Sequence, residues 1–236
     1  SHQQALRNYY RALMLKSDPF GCYDTASICT ANNLGVLEYS KGLMNEALER
    51  FEVILSNKIQ DFPENWFNLA NIYNNFAICY ADRKGFGVEP HKRLDLALLY
   101  LEKALNMKKM ITGENHIDVA IITYNIGILF EQQNILEESK AFKTKAIKLV
   151  EGIQPNHPLL AEFYMKMSKD YKTNKANYKK ALTIYHKNYP KCHPILMDYH
   201  QRIAFSCLSE GTAEEMQIAI THFSEALKIS RVLYGE

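Results

Sequence analysis

One pattern constrains this chain more than any other: a small residue, a large one four positions on, and a smaller one three beyond that. It recurs as Ala5, Tyr9, Ala12; Ala47, Phe51, Ile54; Ala97, Leu101, Ala104; Ser139, Lys143, Ala146; Ala181, Tyr185, Asn188; and Ala219, Phe223, Ala226. The first members step by 42, 50, 42, 42 and 38 residues. Self-similarity at such a period marks stacked supersecondary units, none of which can bury its apolar faces alone. Five of the six copies are preceded by an apolar–small pair: Leu34-Gly35, Phe76-Ala77, Ile126-Gly127, Met167-Ser168 and Ile203-Ala204. An aromatic follows three of these at Tyr80, Phe130 and Tyr171. Each repeat is therefore predicted as a helical hairpin. A glycine or alanine lets two helix backbones approach, and a bulky side chain one turn away fills the wedge beside the contact. Lys143 and Asn188 break the code, and Phe142 is expected to supply the bulk beside Lys143.

Composition agrees. The chain of 236 residues has 10 glycines and 7 prolines, well under the usual pair frequency of roughly 12%, which favours long helices over a many-stranded sandwich. No apolar run approaches the ~20 residues needed to span a bilayer, and the N-terminus carries no apolar signal segment. A net charge of +2 is too small for bulk electrostatic attraction to nucleic acid or an anionic membrane. The five cysteines, Cys22, Cys29, Cys79, Cys192 and Cys207, are odd in number and scattered, without a C-x-x-C pair. That fits neither a disulfide framework nor a zinc site, so buried or half-buried thiols and a cytoplasmic location are expected.

These residues resemble the tetratricopeptide repeat, in which a helix A carries W-x-x-L-G-x-x-Y and a helix B carries A-x-x-x-F-x-x-A. Trp66, Leu69, Ala70 and Tyr73 match the first string; Ala5, Tyr9, Ala12 and Ala219, Phe223, Ala226 match the second. The segments Gly113-Glu114-Asn115-His116 before Val119-Ala120, and Asn156-His157-Pro158 before Ala161, are similar to loops of the 42-residue repeats typified by kinesin light chain; His193-Pro194 is a third copy. The resemblance implies an all-α fold, a right-handed superhelical α-solenoid of stacked antiparallel helix hairpins. It implies one domain over residues 1–236, with about five hairpins after a leading half-repeat. In the second repeat Trp66–Tyr73 and Phe76–Tyr80 both fit helix A, which predicts one helix lengthened by about two turns. Residues 82–90, with two glycines and a proline, read as a surface loop about eight residues longer than usual. Leu233-Tyr234-Gly235-Glu236 matches the beginning of the loop at Gly113, and the chain is expected to be a fragment of a larger protein.

Catalytic strings are missing: there is no glycine-rich phosphate loop, H-E-x-x-H or G-x-S-x-G. Neither enzyme activity nor a cofactor is expected. His116, His157 and His193 each begin a different repeat, which points to loop capping rather than a shared metal. His193-Pro194 likewise interrupts any common face for His186, His193 and His200.

Function is expected on the stripe that packing leaves free. At 100° per residue, the residue before each apolar–small pair lies near the centre of the concave face. These residues are Asn33, Asn75, Asn125, Lys166 and Arg202, with Asn32, Asn74 and Tyr124 beside them and Lys169 and Lys172 further along. A carboxamide both donates and accepts, so a ladder of asparagines can hold the main chain of an extended peptide. In kinesin-light-chain-like repeats, asparagines at this slot contribute to cargo-peptide binding, as the resemblance implies. Between 166 and 191 lie eight lysines against Asp170 alone, a run that points to an acidic stretch in the partner. The expected role is a protein-interaction scaffold that takes an extended or helical, partly acidic segment of another protein, without membrane insertion. A chaperone-type carboxylate clamp is not expected, since Asn32 and Val36 stand where it needs a lysine and an asparagine. The alternatives are an RNA-binding helical array, from the lysines and the 15 tyrosines, or the regulatory or scaffold portion of a larger enzyme.

Overall fold

The computed structural model describes residues 2–16, 25–56, 66–82, 89–168, 171–208 and 212–235. These form eleven helices: α1 His2–Lys16, α2 Thr25–Ser40, α3 Met44–Ser56, α4 Trp66–Asp82, α5 Pro90–Thr112, α6 Ile117–Gln132, α7 Leu136–Ile153, α8 Pro158–Met167, α9 Tyr171–Asn188, α10 Pro194–Leu208 and α11 Ala213–Tyr234. No strand occurs among the described residues. The even-numbered helices carry the apolar–small pair and the odd-numbered ones the small–large–small pattern, so the fold is an all-α repeat solenoid. It divides into two compact units, Ser1–Ala146 and Ile147–Glu236.

In the first unit, Ile28 and Leu34 of α2, Phe51 of α3 and Ile72 and Phe76 of α4 share one core cluster. Ala77 of α4, Leu94 and Leu101 of α5, and Ile122 and Ile126 of α6 make the next. The second unit buries Leu160 and Phe163 of α8, Tyr178 and Ala181 of α9, and Leu196, Tyr199 and Ile203 of α10. The small–large code acts at atomic scale. A Cβ on Gly35 would stand 2.8 Å from Phe51 Cζ, and one on Gly127 would stand 2.8 Å from Lys143 Cγ and 3.0 Å from the Ser139 carbonyl oxygen. Lys143 therefore fills the large slot itself. Its methylenes cover Gly127 while its Nζ reaches Glu131 at 2.5 Å, the usual way a long cation buries its stem and keeps its charge paired. Phe142, expected to supply that bulk, instead stacks on Phe130 with centroids 5.3 Å apart. Asn188 ends α9 as a polar tie, its Nδ2 donating to the Ile184 and Asn156 carbonyls at 2.8 Å each.

The second repeat departs from expectation. Helix α4 is a single helix over Trp66–Asp82, and the residues on either side of it lie outside the described residues. Helix α5 starts seven residues before Ala97, whereas α3 and α7 start three before Ala47 and Ser139. Pro90, expected in the loop, opens α5 after the N-cap Glu89, because proline suits a first turn whose N–H needs no helical partner. Residues 83–88 lie outside the described residues.

Histidine caps are shared by three helices. The Nδ1 atoms of His116, His157 and His193 accept the backbone N–H of Asp118 at 3.1 Å, Leu159 at 3.1 Å and Ile195 at 3.2 Å. Each thus satisfies an otherwise orphaned N-terminal donor. Among the described residues no three His, Cys, Asp or Glu side chains gather as a metal site.

A fourth histidine position has a pH consequence. His200 of α10 and His222 of α11 meet with Nδ1 atoms 2.9 Å apart, so one donates and the other accepts. Burial first, and then the His222 and His186 rings against the opposing Glu225 carboxylate, push His200 down to about 4 from 6.5. Burial also lowers His222, again opposed by Glu225, whose carboxylate is held by Lys228 at 2.6 Å. Both rings stay neutral in the native state where the unfolded chain takes up protons. Native stability therefore falls as pH drops from 6.5 toward 4. Thermal melts across that range are expected to show a falling midpoint, and His222→Gln is expected to flatten it; an equally steep slope in the variant would contradict this pairing.

Candidate functional site

Four of the five predicted asparagines, Asn125, Asn74, Asn75 and Asn32, come together in the first unit as a row of bonded amides, which on α2 takes in Asn32 and not the slot residue Asn33. Asn125 Nδ2 of α6 donates to Asn74 Oδ1 of α4 at 2.8 Å, Asn74 Nδ2 to Asn75 Oδ1 at 3.2 Å, and Asn75 Nδ2 to Asn32 Oδ1 of α2 at 3.0 Å. Three helices are thereby joined side to side at their polar stripe. Asn32, Asn74 and Asn75 of the row line a cavity of about 360 Å³ together with Asn33, Val36, Asn71, Lys108, Asp118, Ile121 and Ile122; Asn125 braces the row from outside that lining. Asn71, Asn74 and Asn75 share one face of α4 because residues three and four apart stand one above the other. Each carboxamide has two N–H groups and two acceptor lone pairs. The row uses one N–H each of Asn125, Asn74 and Asn75, and so keeps hydrogen-bonding capacity for a guest. Asn33 is exposed at the cavity edge.

At one end of the cavity sits a cation that the repeat pattern did not flag as functional. The Lys108 side chain is wholly buried, its Nζ 2.8 Å from Asp118 Oδ2 and 3.2 Å from the centroid of the Phe67 ring. It continues the α5 packing stripe of Leu94, Ala97, Leu101 and Ala104, where a lysine reads as a break in the pattern. Lysine and aspartate neutralise one another, so the cavity is polar without net charge. Tyr124, expected beside the asparagines, is instead buried at 1% exposure and does not line the cavity. Helix α6 buries Val119, Ala120, Ile122, Thr123, Tyr124, Ile126, Gly127 and Leu129, and Asn125 stands half-buried between Ile121 and Ile128 on the side left open.

The second unit has its own cavity, about 380 Å³, lined by His157, Pro158, Leu159, Glu162, Met165, Tyr185, Tyr189, Ile195, Asp198 and Arg202. The cations predicted here are already matched. Lys166 Nζ lies 2.7 Å from Glu162, and Arg202 Nε 2.8 Å from Asp198, each one helical turn away. Glu162 and Asp198 stand at the i,i+4 spacing that pairs charges along a helix. Lys169 lies outside the described residues, and Lys172 falls within α9. Several tyrosines are packing groups: Tyr164, Tyr178, Tyr185 and Tyr199 are buried. Cys29, Cys79, Cys192 and Cys207 are outside any disulfide and buried or half-buried, and no helix among the described residues is long and apolar enough to cross a membrane.

Hairpins stacked on a small–large code, with histidine-capped helices A, define a tetratricopeptide-type repeat solenoid. Solved structures share that fold. The chain aligns over its whole length with 90% of BtubC (BKLC) from P. vanneervenii, at a TM-score of 0.63 and 18% identity. It also aligns over 91% of its length with all of a putative kinesin light chain with nearly identical TPR-like repeats from Podosopora anserina, at a TM-score of 0.61 and 11% identity. A point variant of the latter matches at 0.59 and 12% identity, over 89% of this chain and 98% of that one. At these identities the likeness concerns the fold. No family model matches the sequence, and no curated protein matches it significantly.

Proposed function

We propose that this chain is a non-catalytic protein-interaction module whose first unit holds an extended or helical segment of another protein against the amide row. The observation that carries this reading is the bonded row from Asn125 to Asn32, of which Asn32, Asn74 and Asn75 line an open cavity without net charge. Carboxamides held by their neighbours are preorganised, so a partner's main-chain N–H and C=O groups meet donors and acceptors that lose little freedom on binding. Val36, Ile121 and Ile122 add apolar contact worth about 25 cal/mol per Å² covered. The asparagines of kinesin-light-chain-like repeats, which this sequence resembles, support the same role. In the second unit the paired Lys166 and Arg202 leave little free positive charge at the predicted slots, so recognition is assigned to main chain and apolar contact rather than to partner acidity. The reduced thiols accord with a cytoplasmic setting.

Partner capture with the full chain tests the reading. Replacing Asn75 and Asn125 by alanine removes two preorganised amides; at about 1 kcal/mol for each lost hydrogen bond, bound partner is expected to fall by roughly 10- to 30-fold. Helicity by circular dichroism is expected to remain. Partners captured equally well by the double variant would reject the cavity as the binding site.

A further inference from the structure

We propose that the cavity of the second unit takes a guanidinium group, presented by an arginine side chain of a partner protein. It lies apart from the amide row and stands whether or not that row binds anything. The observation that points to a guest is Tyr185. This side chain is 5% exposed and lines the cavity, yet among the described residues its hydroxyl has no hydrogen-bond partner. The other buried tyrosines of this unit are satisfied: the Tyr164 hydroxyl donates to Glu151, and those of Tyr178 and Tyr199 to the Ser168 and Tyr178 carbonyls. A buried hydroxyl left without a partner is costly, so one that persists calls for a reason. The charges that act on it belong to Glu162, Arg202 and Asp198, all of which line the same cavity. The hydroxyl therefore faces the polar wall. Burial first, then the Glu162 carboxylate, and more weakly Asp198 and Tyr189, push it up to about 12 from 10.0 against the opposing Arg202. It stays protonated, able both to donate and to accept.

The sign of the guest follows from the carboxylates. Glu162 of α8 and Asp198 of α10 each hold one ion pair, through Oε1 to Lys166 and Oδ2 to Arg202, while Glu162 Oε2 and Asp198 Oδ1 have no partner among the described residues. A carboxylate offers about four lone-pair sites, so both can accept again. The existing pairs join side chains about half exposed, one helical turn apart, and pairs of that kind are weak enough for a guest cation to share. Lys166 meets Glu162 from outside the lining, which carries two carboxylates against Arg202 alone. An anionic guest would lie against like charge. Arginine suits the site better than lysine, because its planar fork of five donors can reach both carboxylates and the Tyr185 oxygen while its flat face stacks on a ring. Tyr189, half-buried on the lining and stacked on His193 with centroids 4.4 Å apart, supplies that ring. Leu159, Met165 and Ile195 cover the methylene stem. At about 380 Å³ the cavity is near the small end of ligand pockets, roughly 300–1,000 Å³, a size for one side chain rather than a whole helix.

NMR titration of the full chain with the acetylated and amidated pentapeptide Gly-Gly-Arg-Gly-Gly tests the proposal. Its citrulline analogue, which keeps the shape and loses the charge, is expected to bind roughly ten times more weakly, and the glutamate analogue more weakly still. Tyr185→Phe removes only the oxygen. Arginine-peptide affinity is expected to fall about fivefold, as for one lost hydrogen bond, while the thermal midpoint holds or rises because the fold makes no use of that hydroxyl. Glu162→Gln with Asp198→Asn is expected to weaken binding roughly 30-fold with helicity retained, and Asn75→Ala with Asn125→Ala to leave it unchanged. Equal affinity for the citrulline and arginine peptides, tighter binding of the glutamate peptide, or a Tyr185→Phe variant that keeps its affinity or melts earlier would overturn the proposal. So would free arginine binding more tightly than the peptide, since the guest would then be a small molecule. Loss of binding in the asparagine variant would do the same, by placing the probe on the amide row.

Discussion

Arg50→Ala is expected to be among the most destabilising single changes in the first unit. Its guanidinium grips Glu38 with Nε and Nη2 at 2.8 and 2.7 Å, and Glu38, whose side chain is wholly buried, also accepts the Tyr10 hydroxyl at 2.6 Å. This cluster ties α1, α2 and α3 together. Truncating the arginine strands a carboxylate away from water with only the tyrosine to meet it, a loss of about 3–5 kcal/mol. Replacing both partners by apolar residues of similar volume, Glu38→Leu with Arg50→Met, is expected to cost much less, because no buried charge remains. Urea unfolding followed by helicity checks both. A single variant no weaker than the double would show that Glu38 reaches water in the native state.

Asp118→Ala is the second large effect, and it connects stability to the candidate site. Lys108 is fully enclosed and Asp118 is its carboxylate partner at 2.8 Å, with the Phe67 ring on the other side. Asp118 itself is 29% exposed, so water can partly replace it and the expected loss is about 2–4 kcal/mol, at or below the range for a buried pair. Adding Lys108→Met is expected to recover most of it. The single variant also leaves the cavity with one unmatched positive charge, so its residual binding should acquire a salt dependence that the parent lacks. Binding titrations at low and high salt measure that difference.

The hairpins were legible because their packing rule is local: a glycine facing a ring, as at Gly35 and Phe51, leaves its mark at fixed spacing whatever the partner or pathway. The same register pointed to Asn75 and Asn125, which are in the amide row, whereas on α2 the row takes Asn32 in place of the slot residue Asn33. Three features lay beyond that logic. Tyr124 stands beside the polar strip in sequence, but α6 is covered on so many sides that only a neighbour's position decides what is exposed. Lys108 and Lys143 occupy apolar slots, and their carboxylates, Asp118 and Glu131, lie ten and twelve residues away on other helices. The early start of α5 was hidden because two copies of the helix A pattern, seven residues apart, sit equally well on α4. Charge pairing one turn along a helix, as in Glu162–Lys166 and Asp198–Arg202, was available in the spacing and is the signal that tempers the reading of the lysine run.

The linked carboxamides have one more property. Turning every side-chain amide in the row end for end exchanges oxygen for nitrogen throughout, and the three bonds re-form with donors and acceptors swapped. The row therefore has two self-consistent senses. Changing from one sense to the other takes a concerted flip of the four amides and leaves no bond of the row unmade.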